Sequence, residues 1–167
     1  MAQTSIVRAA VIVALAAILE ATLAPYLTLG WVAPHFTILA VVFAGSGLRE
    51  LPAVLLGFFG GILIDALGGG LFGVGALGGL VAGILASRTG ATRRKGTERF
   101  LLAQVVAVSV AGYDLAGLAG ARLAELEAPP IDAYVVAGAL PDALLNGLLA
   151  YAVGGWMLAL VRQKVNR

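Results

Sequence analysis

Six apolar stretches account for most of this chain, and too little charge lies between them to cover a water-facing surface. They run roughly over 6–23, 32–47, 51–67, 71–86, 100–118 and 134–161. A membrane-crossing helix needs about 20 mostly apolar residues, so 167 residues hold six such stretches with almost nothing left over. Only 12% of the residues are charged and 60% are hydrophobic, with mean hydropathy +0.99, whereas an ordinary soluble domain is about 25% charged. The bilayer must therefore replace water as the main solvent. The fold class that follows is all-α: a polytopic transmembrane bundle of six helices, forming a single integral membrane domain over 1–167 with no soluble lobe.

The second, third and fourth stretches are short for a full crossing. The sixth is long enough to tilt, and Pro141 inside it predicts a kink. Pro34 and Pro52 stand near helix starts, where a missing N–H costs least. Arg8 followed by apolar Ala9–Leu19 has the outline of a signal peptide, with small residues at Ala21–Ala24. Glu20 is misplaced for that role and further spans follow, so the segment is expected to be a retained first helix.

The cations set an orientation. Arg8, Arg49, Arg88, Arg93, Arg94, Lys95, Arg99, Arg162, Lys164 and Arg167 all fall on one side of a six-span chain, and only Arg122 on the other, beside Glu125, Glu127 and Asp132. The positive-inside rule then puts both termini and the basic loop in the cytoplasm. The same placement explains the pI near 9.3 without nucleic acid. The run Arg93–Lys95 reads as a topology signal, with anionic lipid as the sharper alternative.

Small residues recur every four positions: Gly57, Gly61 and Asp65, then Gly75, Gly79 and Gly83, then Gly112, Ala116 and Gly120. On a helix this spacing lines one face and lets backbones approach; packing within the chain is favoured over a dimer contact.

Acids within apolar stretches are expensive and need a partner or a polar cavity. Glu20, Asp65, Asp114 and Asp142 are such acids, and the topology places all four toward the outer side, with His35 as the only nearby cationic candidate. They are expected to form an outward-facing polar level, read either as a partner-binding cavity or as structural hydrogen bonding. Asn146 shares a helix face with Asp142 and is expected to hold a neighbouring helix. The chain has no cysteine, and its single histidine argues against a histidine-built metal centre. Gly68–Gly70 precedes no Lys-Ser/Thr pair, so a phosphate loop is unsupported. No Ser/His/Asp arrangement is recognisable. Neither a cofactor nor an enzymatic activity is expected.

The run Gly57-Phe58-Phe59-Gly60-Gly61-Ile62-Leu63-Ile64-Asp65, followed by Leu71-Phe72-Gly73 and Gly83, resembles the central signature of the MreD family of bacterial rod shape-determining membrane proteins. Glu20-Ala21-Thr22-Leu23 and Leu145-Asn146 agree with it in place, and Pro34-His35 stands where the family usually has Pro-Asp. The resemblance implies a non-catalytic scaffold of the cell-elongation machinery in the bacterial plasma membrane, binding MreC and working with RodA, a class B penicillin-binding protein and MreB in peptidoglycan synthesis. It also implies a fold similar to the substrate-binding S components of energy-coupling-factor transporters. Membership of such a transporter is the alternative function, with Tyr26, Trp31 and Tyr113 as candidate pocket linings.

Overall fold

The structure is a computed structural model that describes residues 5–91 and 97–161. The cations Arg93, Arg94, Lys95, Arg162, Lys164 and Arg167 lie outside the described residues. Six helices follow one another: α1 (Ile6–Leu27), α2 (Phe36–Gly45), α3 (Glu50–Gly68), α4 (Val74–Ala91), α5 (Glu98–Leu123) and α6 (Ile131–Val161). Four of them, α1, α3, α5 and α6, are long and apolar enough to cross a membrane. Three of the short expectations thus resolve differently. The third stretch is a helix of 19 residues, and the fourth extends to 18. The second shrinks to 10 residues, about 15 Å at 1.5 Å per residue, too short to cross alone.

The cause lies in the residues ahead of α2. Leu29 and Val32 pair through two backbone hydrogen bonds across a turn in which Gly30 adopts φ +65°, a left-handed conformation open to glycine at little cost. Pro34 then disfavours helical geometry at Ala33. The chain stays non-helical until His35, leaving backbone groups that other helices must satisfy.

Helix α2 forms the axis of the bundle. Every residue from Thr37 to Gly45 is buried, and all five other helices pack around it. A helix apolar on all faces belongs in such a place. The others bury one stripe and expose the rest: α1 turns Ala9, Val13, Ala17 and Glu20 inward, while Val7, Val11, Leu15 and Ile18 are exposed, an apolar exterior suited to lipid.

Helices α3 and α4 make the closest pair, in antiparallel register. A Cβ on Gly57 would strike the carbonyl of Gly79, one on Gly61 that of Gly75, and one on Gly83 that of Ala53. Two glycine stripes thus serve packing within the chain. The third brings no backbones together: a Cβ added at Gly112 would meet nothing within 4 Å, and Gly120 packs within the chain only against the side chains of Leu71 and Val74. Spacing alone cannot tell a stripe that meets a backbone from one that meets side chains.

In α6 the expected disturbance at Pro141 takes the form of a π-turn over Val135–Ala139. Proline has no N–H for residue i−4 and its ring presses on that carbonyl; one wide turn relieves both.

Candidate functional site

The segment 33–37, between the turn and α2, is where the polar side chains gather. Asp142 and Asn146, one turn apart on α6, reach it from one side. Ala33 N–H donates to Asp142 Oδ1 at 3.1 Å, His35 N–H donates to Asn146 Oδ1 at 2.7 Å, and Asn146 Nδ2 donates to Ala33 O at 2.9 Å and to Asp142 Oδ1 at 2.8 Å. Glu20 reaches it from α1, its Oε2 accepting from Thr37 N–H at 2.7 Å. A carboxylate at that position caps the first turn of α2 and faces the positive end of the helix dipole.

His35 lies between these acids. Its Nδ1 stands 3.1 Å from Glu20 Oε1 and its Nε2 3.1 Å from Asp142 Oδ2. The ring of Tyr113 meets the imidazole edge-on, with centroids 5.0 Å apart. Asp142 and Asn146 are each 1% exposed, so these bonds are made where water does not compete and each is strengthened accordingly.

Asp65 does separate work. Four residues beyond Gly61 on the face turned to α4, it reaches round the start of that helix. Its carboxylate accepts from Gly73 N–H at 2.9 Å, Gly75 N–H at 2.8 Å and Ala76 N–H at 3.0 Å. Both α2 and α4 are therefore capped by an acid from another helix. Asp65→Ala is expected to lower stability by about 1–2 kcal/mol, the worth of a helix cap, with Asp65→Asn recovering part of it, read by thermal unfolding in detergent.

Asp114 differs from the other acids. It is 6% exposed, and its Oδ2 has no hydrogen-bond partner. Ligand atoms of His35, Asp114 and Asp142 lie within 4.8 Å of one another.

Above the cluster a cavity of about 500 Å³ opens between α1, α3, α4, α5 and the start of α6, with Glu20, His35, Asp65, Asp114, Tyr113 and Tyr134 among its lining. Of the aromatic residues singled out in the sequence, Tyr113 lines it; Tyr26 and Trp31 do not. Tyr134, not anticipated, lines it and packs against Trp31 at 5.6 Å. The structure thus brings Glu20, His35, Asp114, Asp142 and Asn146 into one cluster and sets Asp65 at the rim of the same cavity. Segment 33–37, whose backbone ties the cluster together, is marked in the sequence only by Pro34 and His35.

No curated protein and no solved structure matches this chain. The family model described as rod shape-determining protein MreD matches residues 3–164. That match spans nearly the whole of a multi-pass helical chain, and the protein belongs to the MreD family.

Proposed function

We propose that this chain is a non-catalytic scaffold of the cell-elongation machinery in the bacterial plasma membrane. In this reading it holds MreC, in an assembly that includes RodA, a class B penicillin-binding protein and MreB, and so supports peptidoglycan synthesis. Its family is one of rod shape-determining proteins. The observation that carries the finer reading is the cavity: a recess of about 500 Å³ lined by Glu20, Asp65 and Asp114 among apolar and aromatic residues, fitted to a partner helix that presents a polar or cationic group.

Orientation supports the same reading. Arg88 pairs with Glu50 at 3.8 Å, and Arg99 lies against Gly155, so the starts of α3 and α5 and the ends of α4 and α6 share one end of the bundle. The cavity opens at the other. With the cation-rich end in the cytoplasm, both termini are cytoplasmic and the cavity faces outward.

The volume also falls in the range of about 300–1,000 Å³ usual for small-molecule sites. That favours, as a second reading, the binding component of an energy-coupling-factor-type transporter. Affinity purification of the tagged protein from its own host in mild detergent, with mass spectrometry, separates the two. MreC is expected in the eluate; ATPase subunits or a retained vitamin in its place would overturn the scaffold reading.

A further inference from the structure

Three carboxyls, Glu20, Asp114 and Asp142, surround one imidazole. Among the described residues no lysine or arginine forms an ion pair with any of them. Uncompensated carboxylates inside an apolar bundle are costly, and His35 can carry a single positive charge. The buried Oδ2 of Asp114, which accepts no hydrogen bond, is where that deficit shows.

We propose that His35, Asp114 and Asp142 bind a divalent first-row transition-metal ion. The donor chemistry fits, and so does the spacing of the pair His35 and Asp142, with Asp114 within 4.8 Å of both. Ligands about 2.1 Å from a metal are about 3.0 Å apart at a right angle and about 3.4 Å apart at the tetrahedral angle. His35 Nε2 and Asp142 Oδ2 are 3.1 Å apart, so an ion replaces the proton between them without moving either helix. Asp114 supplies the third ligand by turning a carboxyl whose buried Oδ2 holds no hydrogen bond to give up.

Glu20 completes the arrangement from outside the ligand set. Accepting from His35 Nδ1 at 3.1 Å, it fixes the tautomer that leaves Nε2 as a lone pair facing the metal, the carboxylate–histidine–metal order common around protein-bound zinc. The cavity supplies the approach, since His35 and Asp114 line it while Asp142 lies behind them. One imidazole with two carboxylates suits Mn²⁺, Fe²⁺ or Zn²⁺ better than Cu⁺, which prefers sulfur, or Ca²⁺, which prefers oxygen alone. A single histidine is no obstacle to a site of this kind.

The test uses the full chain, purified in detergent and stripped with chelator, with no partner present, so its result is independent of the scaffold reading. Titration with Zn²⁺ by calorimetry is expected to give one ion per chain. Asp114→Asn, which removes no hydrogen bond made by Oδ2, is expected to weaken binding at least ~10-fold, as loss of a direct ligand must exceed the low end of the about 10–100-fold set by outer-shell changes. Glu20→Gln is expected within that about 10–100-fold range. X-ray absorption at the zinc edge of the unmodified chain keeps the proposal open to refutation should variants misfold: one imidazole nitrogen with carboxylate oxygens is expected. No bound ion, an all-oxygen shell, or an Asp114→Asn chain that binds as tightly as the unmodified one overturns it.

Discussion

Replacing Asp142 with alanine is expected to destabilise the chain by about 3–5 kcal/mol, the usual cost of removing one partner from a buried charged pair. Asp142 Oδ1 accepts from Ala33 N–H and Asn146 Nδ2, and Oδ2 faces His35. The substitution strips all three at once in a place 1% exposed, where water cannot stand in. Asp142→Asn keeps an acceptor for Ala33 N–H and loses the charge opposite His35, so it is expected to fall between alanine and the unmodified chain. Thermal unfolding in detergent orders the three. If alanine and asparagine are equally damaging, the charge opposite His35 dominates; if asparagine is harmless, the backbone acceptor does.

The second large effect is expected at the α3–α4 contact. Gly61→Leu places a side chain on the carbonyl of Gly75, and Gly79→Leu on that of Gly57. Overpacking of a side-chain core costs about 1–3 kcal/mol because rotamers give way; here the obstruction is backbone, and only separation of the helices relieves it. Loss of the monodisperse folded species in size-exclusion chromatography is expected for both. Gly112→Ala is the matched control. Nothing lies within 4 Å of its added methyl, and removing a helix-interior glycine is worth about 0.5–1 kcal/mol in favour of the fold. A Gly61→Leu chain that behaves like this control would show that the close contact does not hold the fold.

These two regions also mark how far the sequence can be read. The four-residue step from Gly61 to Asp65 places that acid on the face turned toward α4, so its capping role follows once the partner helix is known. The scarcity of charge, the apolar stretches and the positions of Glu20, Asp114 and Asp142 within them are local properties and could be read directly. The pairing of His35 with Glu20 on one side and Asp142 on the other depends on how α1 and α6 flank α2, a fact of three-dimensional packing with no local trace. The length of α2 was hidden for a similar reason. Residues 32–34 are apolar or small enough to extend a hydropathy run, and the geometry of Pro34 with the turn at Gly30 decides otherwise. The stripe at Gly112 looked like its neighbours because period reports a shared face and not what that face meets.

The bonds that hold segment 33–37 join residues 109, 111 and 113 positions apart, and biosynthesis must wait for them. As the chain emerges, the backbone groups of Ala33 and His35 enter the membrane region long before Asp142 and Asn146 exist. Contacts of such sequence separation are slow to form, because loop closure comes before any gain. Glu20 of the first helix can already hold Thr37 N–H, but until the last helix arrives Ala33 N–H, His35 N–H and Ala33 C=O at the entrance of α2 lack their Asp142 and Asn146 partners. The final helix is thus the latch on the whole assembly. A chain cut short before it retains most of its apolar mass yet leaves its central helix unsealed, and that open entrance distinguishes an unfinished copy from a finished one.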